Sequence, residues 1–288
     1  MRRLYAFLTA LAIVVSCMAP MTVVAGATGA DSVVATKLTQ ESTSALVSTG
    51  QFAGGSGTEA DPYLIETKEH LNNVRNYPTA HFKMVADVIF TDADFTEGGA
   101  FYNAGLGWTP IGVDRTTPFS GVFDGNAHRI LGLKINFSGT TLRYIGVFGY
   151  VTGIIRNLGV VNCSITANSD SVSLYVGGIA GYNSGGTISC CYAVSVISSD
   201  YDSGGIVGCN WGTVERCFND GAVSSDYYAG GIVSSNYSLV ANSYNSGIVT
   251  SDSYAGGISS TNNGTIEYCY NIGAIDASKY CGGLYMSL

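Results

Sequence analysis

GGIVGCNWGTVERCFNDGAVSSDYYA (204–229) runs directly into GGIVSSNYSLVANSYNSGIVTSDSYA (230–255). The two stretches have equal length, and like residues fall opposite like. Their opening double glycine also stands at 177–178, 256–257 and 282–283, so the five pairs lie 27, 26, 26 and 26 residues apart. A period of this size marks a repeat architecture. Each unit cannot bury its apolar face alone and stacks on the next.

Working outward from these stretches, the columns can be read as physics. Ile179, Ile206, Ile232 and Ile258 share one column; Ile188, Val214, Val240 and Ile266 a second; Ile197, Val223, Val249 and Ile275 a third. All are β-branched, which suits a pleated sheet. Polar positions such as Ser189, Glu215 and Glu267 alternate with them, as in strands with one face in and one out. A helical repeat would need two amphipathic helices per unit, but the units are rich in Gly, Ser, Thr, Asn and Val, poor helix formers. The pattern predicts an all-β chain, a parallel β-helix or β-solenoid with about 26 residues per coil and coils about 4.8 Å apart. Asn219, Asn245 and Asn271, with Gly221, Gly247 and Gly273 two residues on, are expected to supply left-handed angles at corners. Ser203, Ala229, Ala255 and Cys281 precede the double glycine, where tight backbone packing is expected.

The 288 residues carry a formal charge of −8, with 12% charged and 46% hydrophobic residues. Beyond Arg156 the only basic residues are Arg216 and Lys279, which argues against nucleic acid or an anionic membrane as partner. The N-terminus reads as an export signal (1–25): Arg2 and Arg3, an apolar stretch from Leu4 to Met18, and a small-residue site at Val23, Val24 and Ala25. Cleavage after Ala25 is expected, with lipidation at Cys17 as the alternative. The apolar run is too short for a retained span. Residues 26–50 read as a linker, 51–145 as a cap with first irregular coils, and 146–288 as regular repeats. KEHLNNVRN (68–76) is the cap's short helix, with Leu71 and Val74 on one side. The sequence stops as a new coil opens, so truncation and end-to-end self-association are expected.

Cys191, Cys217 and Cys269 share a column in which Ser243 is the fourth member. Acceptance of serine points to small buried residues. The alternative is a Cys191–Cys217 bridge between coils. Cys190 and Cys191 are expected on opposite faces of a strand.

The order GSGTEADPYLI (55–65), WTPIG (108–112), FSGVFDGNAHRILGLKI (119–135) and GVFGYVTGIIRNLGVVNCSI (146–165) resembles the bacterial GLUG-repeat proteins. The signature falls on 146–149, 178–181 and 205–208; at 231–234 and 257–260 the final glycine is lost to Ser234 and Ser260. The resemblance covers roughly 52–288. It implies a secreted or surface protein with a β-helix-like fold, and the same arrangement occurs upstream of the protease domain in some IgA1-type metallopeptidases. That protease needs HExxH, and His70, His81 and His128 are not so spaced.

Other chemistry is sparse. Asp124 and His128 lie close together in FDGNAHR, but Asp-Gly-Asn is turn chemistry. Asp200, Asp226 and Asp252 form a column that raises a calcium site against an SSD turn, and the turn is the simpler reading; Asp92, Asp94 and Glu97 pose the same choice. No cofactor or metal is expected. The candidate ligand-binding residues are the aromatic column Tyr192, Phe218, Tyr244 and Tyr270, which could stack on sugar rings or simply on each other; Tyr201, Tyr227, Tyr228 and Tyr254 form a second cluster. The sequence therefore reads as a non-catalytic extracellular solenoid, a surface scaffold or adhesion module with a glycan or cell-surface protein as partner. The alternatives are a carbohydrate-active β-helix enzyme and an accessory region of a larger surface protease or adhesin.

Overall fold

The computed structural model describes residues 50–139, 141–169 and 173–286. The export signal, Cys17 and all of the linker except Gly50 lie outside the described residues. Within them, consecutive coils wind through four parallel sheets of eight, eleven, six and six strands. One coil shows the path. Asp202–Gly204 lies in sheet I, Val207–Asn210 in sheet II, Thr213–Glu215 in sheet III, and both Phe218–Asn219 and Val223–Ser225 in sheet IV. The next coil pairs with it in register: Asp202 with Tyr228, Val207 with Val233, Thr213 with Leu239, Val223 with Val249. The columns of the sequence are therefore strand neighbours, as the 26-residue beat requires.

The apolar columns point inward. Ile179, Ile206, Ile232 and Ile258 are fully buried, as are Ile188, Val214 and Val240. Each contributes roughly 2 kcal/mol, so stability accumulates coil by coil. At the other end of the stack, the helix Lys68–Asn73 is capped by the Thr67 hydroxyl, which accepts from the His70 N–H. It touches the strands Tyr63–Ile65 and Val88–Ile89, the first in sheets III and IV. Leu71 and Val74 are buried there. An aromatic core of Phe52, Tyr63, Phe82, Phe119, Phe123 and Phe148 continues from this cap into the coils.

Two files of asparagine run through the interior beside the apolar columns. The Nδ2 of Asn183 donates to Asn210 Oδ1 (2.9 Å), Asn210 to Asn236 (2.9 Å), and Asn236 to Asn262 (2.7 Å). The second file runs from Asn219 to Asn245 (2.8 Å) and on to Asn271 (2.7 Å). Each side chain also folds back onto its own backbone: Asn219 Nδ2 donates to Gly221 O, and its Oδ1 accepts from the Gly221 N–H. Fully buried amides are tolerated because both ends of each are engaged. The first member is the exception. Asn183 pairs with Val151 in the preceding coil, which offers no donor, and Asn183 Oδ1 is buried without a partner.

The corners differ from expectation. The Asn219 and Gly221 columns do not adopt left-handed angles. The left-handed column is Asn157, Cys190, Arg216, Asn242 and Tyr268, with φ between 50° and 54°, at the junction of sheets III and IV. Cys190 is therefore at a corner, not in a strand beside Cys191. Glycine is needed at 221 and 247 for closeness: a Cβ on Gly247 would lie 1.9 Å from Gly221 O. The same holds for the double glycine, where a Cβ on Gly231 would lie 2.1 Å from Gly257 O.

Two stability changes of opposite sign follow. Gly247→Ala is expected to cost about 3 kcal/mol or more, because backbone rather than a mobile side chain must give way. Arg216→Gly relieves a left-handed non-glycine residue at φ 54° and is expected to gain about 1 kcal/mol. Urea unfolding followed by circular dichroism measures both.

Candidate binding surface

In the corner column of small residues Cys191, Cys217 and Ser243 are buried and Cys269 is half-buried. The thiol of Cys191 donates to Ser189 O (3.2 Å), Cys217 to Glu215 O (3.3 Å) and Cys269 to Glu267 O (3.2 Å), while the Ser243 hydroxyl donates to Ala241 O (2.8 Å). Each serves a carbonyl two residues back, so the column selects a small donor as well as small size. Cys191 and Cys217 are free thiols, and the inter-coil bridge is not formed. Burial holds the Cys191 thiol well above its ordinary pKa and pushes Cys269 up to about 11, which leaves both protonated and unreactive.

The aromatic column of the sequence is a continuous stack. Ring centroids of Tyr192 and Phe218 are 4.8 Å apart, Phe218 and Tyr244 5.1 Å, Tyr244 and Tyr270 5.1 Å, all within 4° of parallel. Tyr192 in turn lies against Gly159, where a Cβ would come 2.5 Å from its ring. The faces of the inner rings are thus used by one another, and edges and hydroxyls are what the column presents to solvent. A partner that stacks needs a free face.

The second tyrosine cluster divides. Tyr228, Tyr254 and Tyr280 stack at 5.1 and 5.2 Å, whereas Tyr201 and Tyr227 meet each other tilted by 35°. By strand register the full sheet I column is Tyr144, Tyr175, Asp202, Tyr228, Tyr254, Tyr280. Asp202 stands where its neighbours have tyrosine. It is 3% exposed and accepts from the hydroxyls of Ser234 (2.6 Å) and Ser235 (2.9 Å). Ser234 occupies the place of the final glycine of earlier units, so the lost glycine and the inserted carboxylate satisfy each other. Burial raises the Asp202 carboxyl to about 6, against the two hydrogen bonds that lower it.

Next to this column on sheet II lie Tyr150, Tyr182 and Cys209. Tyr150 and Tyr182 stack at 5.0 Å, and Tyr144 and Tyr175 meet Tyr182 edge-on at 5.3 and 5.5 Å. The Cys209 thiol is pushed to about 12 by burial and by the Asp202 charge, and Tyr175 to about 12 mainly by burial. The aromatic surface continues in Trp211 and Tyr237, in the turns between sheets II and III. They stack at 4.5 Å and 8° and are 50% and 39% exposed. Sequence reasoning passed over this pair and the Asp202 substitution. The second was legible as one aspartate in a tyrosine column, had the column been drawn two residues before the double glycine.

The remaining candidates take structural partners. Asp124 accepts from the Asn126 N–H (2.8 Å), which makes a turn, and pairs with Arg156 (2.9 Å). His128 faces Asp87 instead (3.4 Å). Asp94 joins Lys68 and caps its own turn at Thr91, and Asp92 pairs with Lys134 (2.8 Å). Asp226 and Asp252 line a groove of about 240 Å³ with Ser224, Thr250 and Asp276. The turn there is tied by the Ser225 hydroxyl, which accepts from Tyr227 and Tyr228, rather than by the aspartates. Burial and the charges of Asp252 and Asp200 raise the Asp226 carboxyl. Among the described residues no group of three His, Cys, Asp or Glu is disposed to hold a metal ion.

These features define a parallel β-solenoid with an N-terminal cap and an aromatic outer surface. No family model matches the chain. Over 138 residues, 46% of its length, it is 43% identical to a protein of Evansella cellulosilytica provisionally described as a Gly-rich membrane protein, and it covers 15% of that relative. Halomucin of Haloquadratum walsbyi is 33% identical over 155 residues, 54% of this chain and 2% of halomucin. The chain thus spans a small part of both relatives. A crystal structure from Bacteroides ovatus, provisionally described as an immunoglobulin A1 protease, superposes with a TM-score of 0.58 over 83% of this chain and 88% of that one. At 19% identity that likeness shows the shared fold. Among the described residues no helix is long and apolar enough to cross a membrane.

The raised carboxyl at Asp202 sets a pH dependence. The unfolded chain ionises near 3.8 and the folded chain near 6, so the folded state loses stability as pH rises through this window. Asp202→Asn removes the effect. Its unfolding free energy is expected to exceed that of the parent by up to about 3 kcal/mol at pH 7.5, and the gain is expected to vanish by pH 3.5. Urea titrations of both proteins at the two pH values measure the difference.

Proposed function

We propose that this chain is an extracellular β-solenoid of GLUG type that works as a surface scaffold or adhesion module, without catalysis. The observation that carries this reading is the division of labour between faces. Inward positions are taken up by apolar and asparagine columns, and on sheets I and II the half-buried Tyr175, Tyr182, Tyr228 and Tyr254 repeat at strand spacing beside buried Tyr144, Tyr150 and Ser235. Such a surface suits many weak contacts in a row. The export signal read from the sequence at 1–25 supports a place outside the cell. A specific observation favours a second reading, an accessory region of a larger surface protein: the relatives it matches are far longer, and a protein of the same fold is provisionally described as a protease.

The full chain, applied to glycan and cell-surface protein arrays, is expected to be retained without altering its target. Incubation of the retained targets followed by chromatography checks the second half. Release of cleaved product would overturn the non-catalytic reading, and failure to bind any target would remove adhesion and leave the scaffold.

A further inference from the structure

The chain contains two tryptophans, and they have opposite fates. Trp108 is 2% exposed, donates its indole N–H to Val147 O (3.0 Å) and lies beneath Arg75. Trp211 is 50% exposed, yet its backbone is bonded to the preceding coil and one face of its ring is stacked. Its backbone N–H donates to Asn183 O (2.8 Å), and Tyr237 covers one face at 4.5 Å. Stacking on Tyr237 narrows the rotamer freedom of this exposed tryptophan before any partner arrives, which favours binding.

The second face of the indole is turned toward the preceding coil. There the column holds Ser184, followed by Gly185, the extra residue that makes this coil 27 rather than 26 long. Gly185 has φ +83°, and a Cβ built on it would meet nothing within 4 Å. Ser184 and an open glycine position therefore lie on the side of the indole that Tyr237 does not cover. The stacked column from Tyr192 to Tyr270 has no such opening between its rings. The groups on this side are the indole, the phenol of Tyr237 and, by register, the Ser184 hydroxyl. The nearby carboxylate, Asp202, is buried, and Arg216 is tied to Glu215. This is an uncharged surface with an apolar plane and a rim of hydroxyls. A neutral sugar ring matches it, with its C–H face for the plane and its own hydroxyls for the rim.

We infer that Trp211, with Tyr237 and the small Ser184 and Gly185 beside its uncovered face, is a binding subsite for a neutral glycan. The inference deepens the adhesion reading and rests on it for its biological sense, but its test is separate. Because Trp108 is buried, fluorescence of the full chain reports an exposed tryptophan at Trp211. Cellohexaose, laminarihexaose, mannohexaose and chitohexaose serve as probes, with polygalacturonate and deca-arginine as charged comparisons.

At least one neutral hexasaccharide is expected to shift the emission and to protect Trp211 from acrylamide. Calorimetry, which does not need the reporter, is expected to show at least tenfold weaker binding for Trp211→Ala and for Ser184→Leu, which covers the second indole face while leaving the indole in place. Both variants should keep the parent circular dichroism and unfolding midpoint. The subsite is overturned if no neutral hexasaccharide protects Trp211, if deca-arginine or polygalacturonate protects it instead, or if folded Trp211→Ala and Ser184→Leu bind as the parent does. Array binding that survives Trp211→Ala would sink the subsite and leave the adhesion reading standing; loss of all array binding by the parent would sink adhesion itself.

Discussion

Registered stacking governs this protein. Each backbone N–H that leaves a coil must find a carbonyl of the neighbouring coil at strand distance, and that demand fixes residue n against residue n + 26 through the regular coils. Once the register is fixed, a side chain cannot be chosen alone. An isoleucine must tolerate an isoleucine beneath it, an amide must donate upward and accept below, and a glycine must face the carbonyl of another glycine. The same rule extends outward, where rings stack on rings because the backbone has already brought them to stacking distance.

Much of this was legible because repetition averages out local ambiguity. Four isoleucines at one beat name a buried column more firmly than any single hydrophobic run, and the burial of Ile206, Ile232 and Ile258 follows directly. Corners were less legible. Asn followed two residues later by Gly is ordinary turn chemistry, yet at 219–221 the asparagine serves the interior and the glycine serves close approach. The true left-handed column holds Asn, Cys, Arg, Asn and Tyr, a set with no shared signature, because its conformation is imposed by the stack rather than chosen by the residue.

The outer surface was read in part. The aromatic column was found together with its reading as a ladder, and its rings do stack on one another. Trp211 lies outside that column and escapes a search for repeats, since its counterparts are Ser184, Tyr237 and Asn263. Asp202 escapes for the same reason. Departures from the period are where individual chemistry enters a repeat protein, and they are visible only after the period has been established.

The asparagine files have one further consequence. In both, each amide-to-amide bond runs from the Nδ2 of the lower-numbered coil to the Oδ1 of the higher. Their dipoles add head to tail. The rod therefore carries an internal electrical polarity, with a bare oxygen at Asn183 where the first file begins and N–H groups leading toward the later coils. Two ends built from nearly identical units are thereby made electrostatically distinct.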